Sequence, residues 1–219
     1  DLDQAKTEHP LVLVYGLFGF DSIWDYRYWG ELKDNLELNG AKVYIAKVSQ
    51  AHSPHRRGQQ LLQQLETWGH NKYHIIAHSM GGLDARYVLE HHSYLIASIL
   101  TIATPHRGSK VADFIMKVEV LPWASQFVWH TGNLACHLVA YLSDSWHEQD
   151  IKHALQALTT SGMEEFNTQY PLGIQKVPND AKLFSLGLCH KNPKNLTGIC
   201  ALTLFGVGKL FFGSQENDG

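Results

Sequence analysis

The pentapeptide Ala77-His78-Ser79-Met80-Gly81 constrains the fold of this chain more than any other segment. An apolar run over residues 73–76 precedes it, and residues 82–88 follow it with helical periodicity. The segment therefore predicts a strand, a sharp turn and a helix, with Ser79 at the apex of the turn. Small residues two positions before and two positions after the serine suit such a strained turn and leave Oγ clear of the sheet. A serine that only caps the helix is the alternative interpretation.

The predicted position of Ser79 also favours a chemical role. The first turn of a helix has unpaired backbone N–H groups and carries the positive end of the helix dipole, so negative charge that develops there is stabilised. None of the three cysteines lies in a comparable turn, and a cysteine nucleophile is not supported. The pattern thus predicts a serine nucleophile that is acylated by its substrate.

Composition excludes several other classes of function. The chain has 219 residues, 44% of them hydrophobic and 18% charged, with a net charge of −3. These values suit one globular domain with a sizeable core. The sequence has no basic stripe of the kind that would indicate nucleic-acid binding. No apolar run approaches the ~18 residues of a membrane span, and the polar residues 1–4 do not resemble a signal peptide. The sequence is therefore that of a secreted protein without its leader or of a cytoplasmic protein.

Strand and helix patterns alternate along the chain. Apolar runs predict strands at Leu11–Tyr15, Lys42–Val48, Tyr73–Ala77, Leu95–Ala103 and Lys182–Leu188, and helical periodicity predicts helices at Tyr28–Leu38, Arg57–Trp68 and Gly81–Glu90. This alternation predicts βαβ units and a mostly parallel, doubly wound sheet within a single domain over residues 1–219. Together with a serine on a strand-to-helix turn, it predicts an α/β-hydrolase fold.

The segment over residues 110–143 is crowded with aliphatic and aromatic side chains and has few charges. One interpretation is a set of additional core helices. The other is a helical lid, an insertion over about residues 110–160 whose apolar inner face covers the site and meets lipid when it opens. We prefer the lid because the predicted sheet already has its layer helices elsewhere.

Several long segments resemble those of one family. In chain order they are LVLVYGLFGFDSI, YWGEL, RRGQQL, AHSMGGLDARYV, TIATPHRGS, LTTSGMEEFNTQYP and LFGVGKLFFGSQENDG. The chain is similar in these segments to the bacterial true lipases of the foldase-dependent type, which are triacylglycerol lipases of the α/β-hydrolase superfamily. The resemblance implies hydrolysis of long-chain acyl esters at an oil–water interface by a secreted enzyme, with a lipase foldase chaperone as a partner in folding.

Two further functions stay open on the same fold. A soluble short-chain esterase or an acyltransferase is expected if the insertion is rigid core. The other alternative is not an enzyme: a catalytically inactive homologue that binds lipid or a protein partner.

The resemblance assigns the nucleophile and the oxyanion hole. Ser79 matches the nucleophile, and the N–H groups of Leu17 and Met80 match the two oxyanion donors. Gly16 is expected to let the backbone bend, so that the Leu17 N–H points at the substrate oxygen. Phe18, in the same loop, and His78, beside the serine, are assigned to substrate binding.

The sequence departs from the family pattern in three places. Tyr15 stands where the family has a histidine before the oxyanion glycine. Asp218, within Asn217-Asp218-Gly219, matches the acid that orients the triad histidine, but that histidine follows the acid in chain order and is not within this sequence. We therefore expect the histidine, a last strand and a last helix to lie beyond residue 219. The family's structural Ca²⁺ would have a carboxylate ligand around residues 195–198, where no Asp or Glu occurs, so we assign no metal ligand and no cofactor.

The remaining polar residues are given structural interpretations. Cys189 and Cys200 suit a hairpin disulfide in an oxidising compartment, and Cys136 suits a buried thiol. Arg57 is predicted to tie a loop to the start of a helix. Asp84 and Arg86 are interpreted as surface or packing charges, His106 lies in a structural segment of the family, and the pairs His52/His55 and His70/His74 lack a third metal ligand.

Overall fold

Strands and helices alternate through the part of the chain that the structure describes. The computed structural model describes residues 3–19, 22–23, 26–117, 122–142, 144, 147–174, 176 and 181–187. The strands are β1 Leu11–Val14, β2 Ser22–Ile23, β3 Tyr26–Arg27, β4 Val43–Ile45, β5 Tyr73–His78, β6 Ile96–Ile102 and β7 Lys182–Leu186. The helices are α1 Leu32–Leu38, α2 Pro54–Trp68, α3 Gly81–His92, α4 Lys110–Lys117, α5 Pro122–Leu142, α6 Ile151–Ala157 and α7 Thr160–Gln169, with a 3₁₀ turn at Ser93–Leu95.

Five strands form one parallel sheet in the order β4-β1-β5-β6-β7, and β2 and β3 form a separate antiparallel pair. After β1 the chain passes to β4 on one side and then returns to β5 on the other, so the strand order reverses between β1 and β5. In parallel α/β sheets such a reversal opens a crevice at the carboxyl ends of the strands. Val14 pairs with Ala77 and His78 pairs with Ile102, so the loops that leave β1, β5 and β6 meet at this edge.

Alternate residues of β1 pack on opposite faces of the sheet. Val12 and Val14 belong to a cluster that includes the buried side chains of α2 and α3. Leu11 and Leu13 belong to a second cluster, against which Leu36 of α1 packs. Helices therefore cover both faces, and the predicted doubly wound sheet is confirmed.

Two helices begin at residues other than the predicted ones. Helix α2 starts at Pro54 rather than at Arg57, because Ser53 Oγ accepts the Arg56 N–H and proline suits the first turn. Helix α1 starts at Leu32 rather than at Tyr28, because residues 28–31 form a turn in which Gly30 has a φ of 54°. A left-handed residue cannot be part of an α-helix.

Helices α4, α5 and α6 lie within the segment for which a lid was predicted, and we refer to them as the insertion segment. Helix α6 contacts α4, α5 and α7. The Ile151 N–H at the start of α6 donates to Asn133 Oδ1 of α5 at 2.8 Å, which ties these two helices together. Within the described ranges, no helix is both long enough and apolar enough to cross a bilayer.

Helix α5 is apolar on its outer side. Leu134, Leu138 and Tyr141 are 64%, 58% and 61% exposed, whereas Cys136 and Ala140 are buried. The buried Cys136 confirms the sequence interpretation, and burial raises the pKa of its thiol to about 11. The lid interpretation placed the apolar face inward. In the described part of α5, Trp129 packs against the core beside the buried Cys136 and Ala140, whereas Leu134, Leu138 and Tyr141 form an outer stripe.

Candidate active site

Ser79 lies at the apex of a sharp turn between β5 and α3. Its φ is 52°, a left-handed backbone conformation that residues other than glycine rarely adopt. The Ser79 N–H donates to the Ile102 carbonyl at 2.8 Å, and the Thr104 hydroxyl donates to the Ser79 carbonyl at 2.8 Å. The end of β6 and the segment that follows it therefore hold the strained turn in place.

The glycine two positions after Ser79 is needed because the chain passes close to β1. A Cβ on Gly81 would lie 2.6 Å from the Val14 carbonyl oxygen and 2.7 Å from the Tyr15 carbonyl oxygen. The Val14 carbonyl belongs to β1 and the Tyr15 carbonyl accepts a hydrogen bond from the buried Arg57, so neither oxygen can move away without cost. The sequence prediction of a small residue at this position is explained by this close approach. Thr104 was not identified from the sequence, since a threonine 25 residues away carries no local signal.

The loop after β1 lies directly against Ser79. A Cβ on Gly16 would be 2.7 Å from Ser79 Cβ and 3.1 Å from Ser79 Oγ. The positive φ in this loop, 59°, belongs to Phe18 and not to Gly16. The prediction that Gly16 supplies backbone freedom is therefore wrong: glycine is required there because any side chain would fill the space at the serine. The Phe18 N–H donates to the Gln50 carbonyl at 2.7 Å, which anchors the loop to the segment after β4.

Arg57 connects this loop to helix α3. Its guanidinium donates to the carbonyl oxygens of Tyr15, Gly16 and Ser49 at 2.6, 3.1 and 3.0 Å. Its Nε and Nη2 both donate to Asp84 Oδ2, at 2.9 and 2.8 Å. Arg57 is fully buried. The prediction that Arg57 ties a loop to a helix is confirmed, and the loop is the one beside Ser79.

Asp84 and Arg86 are buried on α3, with 0% and 2% of their surfaces exposed. Of the two interpretations offered for them, surface charges and packing charges, only the second holds. Burial raises the pKa of Asp84 to about 6, and the adjacent Arg57 partly offsets this effect. Arg86 donates to the Tyr170 carbonyl at 2.7 Å, and its guanidinium lies over the ring of Phe166.

Tyr15, which departs from the family pattern, has a structural role in the described chain. Its hydroxyl donates to the Val48 carbonyl at 2.7 Å and accepts the Val48 N–H at 2.8 Å, and its side chain is fully buried. The tyrosine therefore fixes the end of β1 to the segment that follows β4.

His78 faces Tyr28, 50 residues earlier in the sequence. The two side chains form a hydrogen bond of 2.5 Å between Tyr28 Oη and His78 Nδ1, and the Gly16 N–H donates to the same Tyr28 oxygen at 3.2 Å. Burial lowers the pKa of His78. Tyr28 was missed by the sequence analysis, because nothing in the local pattern connects a residue of a predicted helix to a residue of a strand.

A small cavity lies on the α3 side of β6 and β7. It has a volume of about 150 Å³, and Arg86, Thr101, His106 and Ser185 supply its polar lining. His106 Nε2 lies 3.2 Å from Thr101 Oγ1. Burial and the nearby Arg86 lower the pKa of His106 to about 4. The ring is thus a neutral packing group, as the structural assignment of its segment predicted.

Several predicted site residues fall outside the described residues. These are Asp218, the Cys189 and Cys200 pair, and the residues 195–198 where the family has a calcium ligand. In the described part of the chain, no three His, Cys, Asp or Glu side chains are grouped so as to hold a metal ion.

A parallel sheet whose central strand turns sharply into a helix over a serine, at the point where the strand order reverses, defines the α/β-hydrolase class. Solved structures share this fold. Bacillus licheniformis lipase BlEst2 in its mature form superposes with a TM-score of 0.63 over 98% of this chain and 77% of its own, at 23% identity. The metagenomic carboxyl esterase MGS0156 gives 0.62 over 93% and 57%, at 15% identity.

Sequence comparisons specify the family. The family model described as the PGAP1-like alpha/beta domain matches residues 45–160, and the chain belongs to this family. It is also 40% identical over 178 residues to a Vibrio cholerae protein named triacylglycerol lipase, which covers 78% of this chain and 56% of the relative. A Pseudomonas fragi protein of the same name is 37% identical over 180 residues, covering 78% and 61%. The chain thus spans between about half and three fifths of the length of these curated relatives.

Proposed function

We propose that this chain carries the nucleophile and the oxyanion hole of a triacylglycerol lipase that acts on long-chain acyl esters. The observation that carries the proposal is the position of Ser79, at a φ of 52° on the strand-to-helix turn and in contact with the Gly16 loop. Two relatives named triacylglycerol lipase support the choice of substrate. We further propose a single domain over residues 1–219, with the insertion segment as its lid.

The proposed reaction begins with attack of Ser79 Oγ on the ester carbonyl carbon. The Leu17 and Met80 N–H groups would donate to the oxyanion that forms, and among the described residues neither N–H has a hydrogen-bond acceptor. Collapse of the intermediate releases the alcohol and leaves an acyl group on Ser79, which water then hydrolyses. A histidine oriented by Asp218 would take the proton from Ser79 and give it to the leaving alcohol. Phe18 and His78 would contact the substrate.

The outer stripe on α5 supports an interfacial substrate. Leu134, Leu138 and Tyr141 are exposed on one side of a 21-residue helix that contains no Asp, Glu, Lys or Arg. Such a surface suits contact with lipid rather than with water. We propose that the mature enzyme is secreted and acts at oil–water interfaces, and that a lipase foldase assists its folding.

Substitution of the serine in the full-length protein tests the proposal. Ser79→Ala should lower the hydrolysis of p-nitrophenyl butyrate and palmitate roughly 10⁴-fold, because removal of a triad member leaves only the oxyanion hole and binding. The matched control is Ser98→Ala, because Ser98 lies in the same sheet, on strand β6, and its Oγ lies 2.7 Å from His74 Nδ1. The control should keep full activity.

Labelling gives a second measurement of the same proposal. A fluorophosphonate should modify Ser79 in the folded wild type and leave Ser79→Ala unlabelled. Full activity in Ser79→Ala, or labelling at another serine, would show the assignment to be wrong. A rate that does not rise when the substrate forms an emulsion would favour the soluble esterase instead.

A further inference from the structure

Two backbone segments supply the proposed oxyanion donors, and one side-chain bridge joins them. The loop segment contributes Gly16 and Leu17, and the turn segment contributes His78, Ser79 and Met80. The Gly16 N–H donates to Tyr28 Oη at 3.2 Å, and Tyr28 Oη bonds to His78 Nδ1 at 2.5 Å. The bridge therefore runs from one residue before the first donor to two residues before the second.

The surroundings of Tyr28 fix its ring in this position. The ring lies edge-on to Trp29, with centroids 5.5 Å apart, and it contacts the rings of Tyr15 and His78 at 5.8 Å each. Both His78 and Tyr28 are partly buried. A hydrogen bond in such surroundings is stronger and better oriented than one in water.

From this geometry we infer that Tyr28 and His78 are positioning residues, which set the distance between the Leu17 and Met80 amides. Neither side chain needs to touch the reacting atoms for this role. Arg57 holds the loop by its carbonyl groups, and the Tyr28–His78 bridge holds it by an N–H group. The inference rests on the proposed function for its catalytic consequence but not for its structural one.

The bridge acts on the transition state, so its loss should appear in kcat. Oxyanion donors act on charge that develops only during reaction, and a misplaced donor lowers kcat while KM stays nearly constant. Removal of a whole donor costs about 10²–10³ in kcat. A displaced donor costs less, so Tyr28→Phe and His78→Leu should each lower kcat roughly tenfold.

Variants of the same pair separate a bridge from two independent contributions. The double variant Tyr28→Phe/His78→Leu should be no worse than the poorer single variant, because either change already breaks the chain of hydrogen bonds. His78→Asn should recover most of the lost kcat, because its amide places a donor and an acceptor near the position of Nδ1. Independent contributions would instead multiply in the double variant, and no recovery would follow from asparagine.

The chain offers a matched control in a second tyrosine–histidine pair. Tyr44 Oη, on strand β4, lies 2.9 Å from His70 Nε2, and β1 separates β4 from β5. Tyr44→Phe removes the same kind of hydroxyl and should leave kcat at the wild-type value. If Tyr28→Phe and Tyr44→Phe have the same kcat, the inference is wrong, even where Ser79→Ala is inactive.

A measurement that is independent of activity follows the Gly16 amide itself. Hydrogen–deuterium exchange of the segment around Gly16 should be faster in Tyr28→Phe than in wild type and in Tyr44→Phe, because the Gly16 N–H loses its acceptor. Unchanged exchange would overturn the bridge. This arm remains decisive if the serine assignment fails, so the two failures can be told apart.

Discussion

At the scale of single residues, Arg57 determines the shape of the loop beside Ser79. One guanidinium reaches four oxygen atoms, those of Tyr15, Gly16, Ser49 and Asp84. No other side chain has five N–H groups in a planar fork, and a lysine ammonium has only three. Replacement by lysine would leave buried oxygens without donors.

We therefore expect Arg57→Lys to lower both stability and activity. The free energy of unfolding should fall by roughly 2 kcal/mol, since unsatisfied buried carbonyls each cost about 1–3 kcal/mol. Ester hydrolysis should fall at least about tenfold, because the loop loses its fixed geometry. Urea unfolding and steady-state kinetics measure the two effects.

The neighbouring Arg56 provides the control for that experiment. It is exposed, and its guanidinium lies 3.4 Å from Glu148 in a surface ion pair. Such pairs contribute little, so Arg56→Lys should change stability by less than about 0.5 kcal/mol. Equal effects from the two substitutions would mean that burial and the four-oxygen geometry are irrelevant.

How far the sequence predicts this site depends on the range of each interaction. The turn at Ser79 follows from residues 77–81, because the change from strand to helix occurs within them. The contacts that support the turn, from Val14, Ile102 and Thr104, come from distant parts of the sequence. The Arg57–Asp84 pair and the Tyr28–His78 bond join residues that are 27 and 50 positions apart. Pairings of this kind require the tertiary arrangement, which single-sequence periodicity does not encode.

At the scale of elements, the five strands of the parallel sheet were predictable, whereas the short β2–β3 pair and the helix ends were not. Near-continuous apolar runs identified β1 and β5, since a strand buried on both faces has no other composition. The start of α1 depends instead on a left-handed glycine at position 30. The outward direction of the apolar stripe on α5 depends on which neighbours it packs against, and hydrophobic content alone does not give that direction.

The stripe on α5 leads to a prediction about lipid binding. Replacement of Leu134, Leu138 and Tyr141 by serine should weaken adsorption to a triolein emulsion by at least roughly tenfold, because each apolar side chain that leaves water contributes about 1.5–3 kcal/mol. Hydrolysis of a soluble monomeric ester should be unchanged. Partition of the protein between emulsion and buffer is the measurement.

Leu38 at the end of α1 is a suitable control for this variant. It is 69% exposed, as apolar as the residues of the stripe, and it lies on a different helix. Leu38→Ser should leave adsorption at the wild-type level. The stripe is not the lipid contact if both variants adsorb equally, or if the triple variant loses activity on the soluble ester.

At the scale of the whole molecule, His106 links stability to pH. Its pKa is about 4 in the folded chain and about 6.5 in an unfolded one, so below pH 6.5 the unfolded state binds a proton that the folded state does not. The contribution of His106 to the free energy of unfolding is therefore fully present above pH 6.5 and is lost as the pH falls toward 4. The slope from this one group approaches about 1.4 kcal/mol per pH unit.

In His106→Gln, the free energy of unfolding should depend less steeply on pH below pH 6.5 than it does in the wild type. The test is urea unfolding of wild type and variant at several pH values between 4.5 and 8. The difference in the free energy of unfolding between wild type and variant should stay constant from pH 7 to 8, where His106 is neutral in both the folded and the unfolded state. The difference should narrow as the pH falls below 6.5, because only the wild type loses stability there through this group. A constant difference over the whole range would contradict the assignment.

The composition of α5 has a practical consequence for detecting its motion. No lysine or arginine lies between Lys117 and Lys152, so trypsin cannot cleave the helix in any conformation that it adopts. Chymotrypsin, which cuts after large apolar and aromatic residues, has exposed recognition sites at Leu134, Leu138 and Tyr141. Limited digestion with both enzymes, in the presence and absence of detergent micelles, would therefore detect changes in this helix. Chymotrypsin cleavage would report whether the micelles protect α5, and trypsin cleavage elsewhere in the chain would report general unfolding.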